Sequence, residues 1–287
     1  MFDSARPEAA VAGDGLDVAS REARLRASLA DLGSAVVAFS GGADSAYLAW
    51  VATDVLGDRV LCVTAESPSY PARHRELATR VAHEFGLRHE FIVTAEMENP
   101  AYRANEPDRC YHCKHELFTQ LTALARVQGF TAVLDGANAD DGGDYRPGRA
   151  AAREFGVISP LDAAELSKIQ IRELSRRAGL PTWDEPASAC LSSRIPYHSF
   201  VSAEKLRMIE QAEDVIHGLG FRVCRVRHHE DLARVELGPE DFERAVHGSA
   251  RETMVRELKA LGYRYVTLDL QGYRTGSLND GVVLRPV

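Results

Sequence analysis

Long apolar runs are missing from this 287-residue sequence. Nothing in it approaches the roughly 20 consecutive apolar residues of a membrane-crossing helix. No basic segment leads into an apolar one near the first residue, so a secretory signal is not expected and a cytoplasmic setting is. Positive charge is in deficit: 34 Lys and Arg against 42 Asp and Glu give a net charge of −8, which excludes a protein that coats nucleic acid by bulk electrostatics. Cysteine is scarce and odd in number, at five. That count excludes a disulfide framework and makes reduced thiols the default. Two nucleotide signatures are absent: no Lys-Ser or Lys-Thr follows a glycine loop as in Walker A, and no dinucleotide glycine fingerprint occurs. Cys-x-x-Cys appears once, so the second pair that a four-cysteine zinc site needs is missing.

What is present begins with enough apolar material, 45% of residues, to bury a proper core. Buried-strand patterns at Ala35–Phe39, Val60–Ala65, Glu90–Val93 and Thr131–Asp135 alternate with helical spacing over Asp44–Val55, Ala72–Phe85, Lys114–Gln128 and Ser167–Ala178. Three of these helices run into glycines, Gly86, Gly129 and Gly179, that suit a helix end. Val157–Ser159 is a candidate fifth strand. Such alternation predicts an α/β fold with a parallel sheet covered on both faces and ligands at the carboxyl ends of its strands. Around Pro181, Pro186 and Pro196 the helical period lapses, which reads as an active-site loop and linker. Beyond it a helix over Ser202–Leu219, strands over Phe221–Arg227 and Ala233–Leu237, two more helices and a strand over Tyr265–Leu270 predict a smaller α+β unit. The expected division is a flexible tail over 1–20, a nucleotide domain over 21–195 and a substrate or assembly domain over 196–287.

Ser40-Gly41-Gly42-Ala43-Asp44-Ser45 lies between the first strand and the first helix of that alternation. Paired glycines let the backbone turn tightly and present N–H groups to an anion, and the helix that follows adds unpaired N–H groups and a positive dipole end. Ser40 and Ser45 offer hydroxyl donors, and Asp44 offers a carboxylate for a magnesium ion bridging phosphates. A Ser/Gly turn that only caps a helix is the plain alternative. The string resembles the pyrophosphate loop of the PP-loop ATP pyrophosphatases, adenine nucleotide alpha hydrolase-like proteins that split ATP between the α and β phosphates. That resemblance implies an adenine near the strand Leu61–Glu66 and the loop Gly136-Ala137-Asn138.

Cys110 and Cys113 sit in a polar segment read as a loop, a metal-ligand or redox spacing with His112 and His115 as weak further ligands. Cys190 lies in a polar, proline-bordered stretch beside Arg194, where a cation and loop amides favour a thiolate. Cys62 and Cys224 fall within strand patterns and read as packing residues.

Taken together, Ser40–Ser45, Asp108–Lys114, Gly136–Asp141, Arg146–Gly148 and Ala189–Tyr197 resemble the LarE family of ATP-dependent sulfur transferases, over about Ala35 to Leu270. The family serves assembly of a nickel-pincer nucleotide cofactor. The resemblance implies ATP and magnesium as cofactors and a small nucleotide substrate, pyridinium-3,5-biscarboxylic acid mononucleotide, one carboxylate of which is adenylated. It implies attack by a cysteine at the position of Cys190, with either loss of that cysteine's sulfur or delivery of a sulfide held by a 4Fe–4S cluster on Cys110, Cys113 and Cys190. It also implies a homo-oligomer of ring type.

Two further groups are candidates. Arg225 and Arg227 alternate onto one face of a strand, and two forked guanidiniums suit the phosphate of the substrate, with Ser193 and Arg194 nearby in sequence. Glu210 and Glu213 share a helix face, and Glu213 with Glu236 resembles the family's acidic positions, where a metal or a proton transfer would be served. Solvated surface charge is the plain reading of both groups. Trp183 and Tyr111 read as packing rather than stacking residues. The competing functions are another PP-loop adenylating enzyme, either an amide ligase, which has no use for Cys190, or a tRNA-thiolating enzyme, which wants a basic surface, and a nucleotide- and cluster-binding sensor that turns nothing over.

Overall fold

The computed structural model describes residues 11–143, 147–186 and 189–274. Four strands, β1 (Ala35–Ala38), β2 (Val60–Glu66), β3 (His89–Val93) and β4 (Ala132–Leu134), form a wholly parallel sheet in the order β3-β2-β1-β4. Around it lie α1 (Val11–Leu32), α2 (Ala43–Leu56), α3 (Ala72–Glu84), α4 (Pro100–Ala104), α5 (Arg109–Gln128), α6 (Gly148–Glu154), α7 (Pro160–Ala163) and α8 (Lys168–Arg177).

The alternation of strand side chains divides the core in two. Ala35 and Val37 of β1, Val60 and Cys62 of β2 and Leu134 of β4 pack with α1, α2, α3 and α8. Val36, Leu61, Val63 and Val133 turn the other way, onto α5 and α6. A strand buried on both faces reads as a continuous apolar run, as these do. Val157–Ser159 contributes a single parallel bridge, Leu134 to Ile158, instead of a fifth strand.

The second unit holds α9 (Ala203–Gly218), β5 (Cys224–His229), β6 (Leu232–Leu237), α10 (Phe242–Val246), α11 (Gly248–Ala260) and β7 (Tyr265–Leu268). Its sheet runs β5-β6-β7, antiparallel between β5 and β6 and parallel between β6 and β7. Cys224 and Val226 point into its core with Ala233, Val235 and Leu237. Arg225, Arg227, Arg234 and Glu236 therefore occupy the opposite face.

Two expectations need correction. Residues 11–20 are not a tail but belong to α1, because Val18, Leu25 and Leu29 recur at helical spacing and are buried against α2 and α8; residues 1–10 lie outside the described residues. Cys110 and Cys113 are not on a loop but in the first turns of α5. The helix starts early because Arg109 is buried and Cys113 packs against Tyr102 and Leu191. Among the described residues no helix is long and apolar enough to cross a membrane.

Candidate active site

In the order β3-β2-β1-β4 the chain steps outward from β1 on one side and then crosses to the other, so the order of strand addition switches between β1 and β4, which remain parallel. A crevice at the carboxyl ends of the strands is expected at such a point, and the loops after β1 and β4 meet there. A Cβ added to Gly136 would stand 3.1 Å from the Ser45 amide nitrogen and 3.2 Å from its Cα. Gly41, at φ +71°, lies as close to α3: a Cβ there would meet the Ala78 backbone at 3.1 Å. Only glycine fits both requirements. The Ser40 and Ser45 hydroxyls lie 3.0 Å apart, and Ser45 Oγ donates to the Gly42 carbonyl at 3.1 Å. Asp44 sits in the first turn of α2. Ser40, Gly41, Gly42, Asp44, Ser45 and Gly136 thus form one cradle. Beyond Gly136 the loop is turned by its own carboxylates, Ala137 N donating to Asp135 Oδ1 at 3.2 Å and Asn138 N to Asp141 Oδ2 at 3.1 Å.

The thiol-bearing segment is held from several sides. The Leu191 amide donates to the Ser69 carbonyl at 2.9 Å. The Ser192 hydroxyl lies 2.6 Å from the Tyr102 hydroxyl, and its carbonyl accepts from Arg109 at 2.9 Å. The Ser193 carbonyl accepts from Arg227 at 2.8 Å. Arg194 reaches back to the carbonyls of Ala189 and Cys190, at 2.7 and 3.0 Å. Next to Ser69, the Tyr70 hydroxyl donates to the Ser40 carbonyl at 3.0 Å. Two adjacent residues therefore span from the Ser40–Ser45 turn to the residue that follows Cys190.

The three candidate thiols share one neighbourhood. Cys110 and Cys113 are three apart on α5, hence on one helix face; Cys110 is exposed, Cys113 and Cys190 partly so. Burial pushes the Cys113 thiol up, and Cys190 and Glu96 push it further. Burial likewise raises the Tyr102 phenol, helped by Cys190 and Cys113. For Arg109 burial opposes the charge, but Cys190 and Cys110 outweigh it and raise its pKa. A buried cation thus stands among the three sulfurs. Among the described residues no three His, Cys, Asp or Glu side chains are arranged to hold a metal ion. Cys62 and Cys224 are fully buried packing residues in the two cores.

The basic and acidic candidates prove to be partners of one another. Arg194 makes a forked pair with Glu213, both bonds at 2.9 Å, and Arg227 another with Glu236, at 2.9 and 2.8 Å. All four are buried. Glu213 also accepts from the Val226 amide at 2.9 Å. Burial alone would raise Glu213, but Arg194 and Arg225 bring its carboxyl below the usual range. Glu213 and Glu236 therefore close on arginines, and neither belongs to a ready metal site. Arg225 donates to the Cys224 carbonyl at 2.6 Å and lies over the Tyr273 ring, and it lines an open pocket together with Arg73, His74, Leu191, Arg194, Glu210 and Glu213. Trp183 and Tyr111 do not line it.

Sequence reasoning passed over Ser69, Tyr70, His74, Glu96 and Arg109. Arg109 stood inside a quoted motif, where a cation next to a cysteine was a usable signal. Ser69, Tyr70 and Glu96 lie between the regular helices and strands, where no period marks them, and His74 stands in the first turn of α3 with nothing in its helical spacing to single it out.

No family model matches the chain. It is 38% identical over 268 residues, 92% of its length and 95% of the relative's, to the pyridinium-3,5-bisthiocarboxylic acid mononucleotide synthase of Lactiplantibacillus plantarum. It is 44% identical over 260 residues to an uncharacterized protein of Synechocystis sp., covering 91% and 97% of the two chains. Over 197 residues it is 29% identical to the tRNA(Ile)-lysidine synthase of Bradyrhizobium sp., covering 61% and 53%.

Proposed function

The chain belongs to the LarE family, the ATP-dependent sulfur transferases represented by pyridinium-3,5-bisthiocarboxylic acid mononucleotide synthase, and we propose that it adenylates a carboxylate of pyridinium-3,5-biscarboxylic acid mononucleotide and replaces that oxygen with sulfur. The observation that carries the reading is the Ser69–Tyr70 link, which joins the phosphate cradle to the segment of Cys190.

A carboxylate resists nucleophiles because it is already anionic. Attack of its oxygen on the α-phosphorus of ATP expels pyrophosphate and leaves a neutral acyl group with AMP as leaving group, so one hard step becomes two easier ones. In this reading the Ser40–Ser45 turn and Gly136 hold the phosphates through backbone N–H groups and hydroxyls, and Asp44 holds magnesium. Arg225, with Arg194 at the same pocket and Ser193 bonded to Arg194 at 3.0 Å, receives the substrate phosphate, and the Arg227–Glu236 pair holds the turn through the Ser193 carbonyl. The Cys190 sulfur attacks the acyl carbon and AMP departs.

Cys110, Cys113 and Cys190 have the donor chemistry of a 4Fe–4S cluster, three soft thiolates beside the buried Arg109 cation, and their side chains would have to turn toward one another to hold it. Such a cluster, when bound, leaves one iron open for an added sulfide. In a second reading Cys190 gives up its own sulfur. There the thioester loses its cysteine Cα proton, the Cβ–S bond breaks, and dehydroalanine and the thiocarboxylate result. The net charge of −8 argues against a nucleic-acid substrate, and a cytoplasmic homo-oligomer remains the expected form. Incubation with ATP and the biscarboxylic mononucleotide tests the proposal: pyrophosphate and thiocarboxylate are expected, and release of neither would overturn it.

A further inference from the structure

The pocket beside Leu191 contains one side chain whose place between the two ligand sites has no role in the scheme above. His74, in the first turn of α3, lines that pocket together with Arg73, Arg194 and Arg225. Its ring meets the ring of Tyr70, with centroids 6.2 Å apart. The Tyr70 hydroxyl is bonded to the Ser40 carbonyl of the phosphate cradle. His74 thus shares a pocket with Arg225 on one hand and touches the tyrosine bonded to the Ser40 turn on the other.

We propose that His74 is a specificity-determining residue, donating a hydrogen bond from an uncharged ring to the carboxylate that is to be adenylated. This rests on the substrate class proposed above. Burial and the charges of Arg194, Arg225 and Arg73 lower its pKa to about 4, so the ring is neutral at physiological pH. Neutrality matters because the carboxylate oxygen is the nucleophile of the first step. A full cation against it would hold it more strongly but withdraw electron density from the attacking oxygen. An uncharged donor orients the oxygen and leaves it nucleophilic. The arginines around the ring thus serve two ends, attracting the anionic substrate and keeping the imidazole unprotonated.

The test uses full-length protein, pyrophosphate release with the biscarboxylic mononucleotide as substrate, and calorimetric binding of nicotinic acid mononucleotide, a pyridinium mononucleotide with one carboxylate. His74→Ala is expected to raise KM for the substrate about tenfold, the size of one hydrogen bond, with ATP affinity and melting temperature unchanged. His74→Gln, which keeps a neutral donor, is expected to restore most of that loss. His74→Lys is expected to bind the mononucleotide at least as tightly while kcat falls. Substrate KM and probe affinity unchanged in His74→Ala would overturn the assignment. So would a parallel loss of ATP binding and stability, the mark of a packing role. If wild type binds the probe in a His74-dependent way but releases no pyrophosphate, the histidine assignment stands and the proposed reaction falls.

Discussion

The Leu191 amide donates a 2.9 Å hydrogen bond to the Ser69 carbonyl, and through it the thiol segment is registered against the Ser40–Ser45 turn. Ser69 is itself fixed, its hydroxyl donating to the buried Glu96 at 2.9 Å. Tyr70 completes the span with its bond to Ser40. Tyr70→Phe removes that bond and leaves the ring. A loss of about tenfold or less in kcat/KM, the worth of a single hydrogen bond, is expected with the fold intact, and steady-state pyrophosphate release measures it.

Gly136 offers a steric test of the cradle. In Gly136→Ala the new methyl lands on Ser45 backbone atoms, which cannot swing aside as a side chain can. A stability loss of about 1–3 kcal/mol and weaker ATP binding are expected from thermal melts and calorimetry. Gly142→Ala, with nothing within 4 Å, should leave ATP affinity unchanged. Equal ATP affinity in the two variants would argue against the cradle.

The Arg194–Glu213 pair gives a stability test with a pH signature. Glu213→Gln leaves a buried guanidinium without its counter-charge and should cost about 3–5 kcal/mol, read by chemical denaturation. Exchanging both partners for apolar residues of similar volume should cost less. Because the folded carboxyl titrates below its unfolded value, the pair's contribution is fully present above about pH 4.3. It is lost as pH falls through the folded value. Wild type should therefore lose stability on acidification in that window more steeply than the doubly apolar variant.

Much of this fold could be read in advance, since apolar runs such as Ala35–Val37 and Leu61–Val63 are buried on both faces and leave no ambiguity of period. The turn between β1 and α2 was legible for the same reason: Gly41 and Gly42 fall where a strand must become a helix. The start of α5 was hidden because Arg109 and Cys113 look polar in sequence, and only the tertiary contacts with Ser192, Tyr102 and Leu191 make that turn worth forming. The pairing of Arg194 with Glu213 and of Arg227 with Glu236 was also out of reach. The first joins α9 to the turn after Cys190, and the second crosses two strands whose register sequence does not reveal.

Iron content separates the two sulfur sources. Anaerobically purified protein should carry about four irons per chain if the three thiols hold a cluster, and Cys113→Ser should lower that number and the visible absorbance. Iron-free protein that is active and loses about 34 Da, the mass of hydrogen sulfide, in one turnover would place the sulfur on Cys190 itself.

The decisive comparison is between wild type and Cys190→Ala under single-turnover conditions, with ATP, magnesium and the biscarboxylic mononucleotide, counting pyrophosphate and thiocarboxylate separately. Both proteins should release pyrophosphate, because the phosphate cradle does not include the thiol, and only wild type should form thiocarboxylate. Thiocarboxylate made at the wild-type level by Cys190→Ala would contradict the role assigned to this residue.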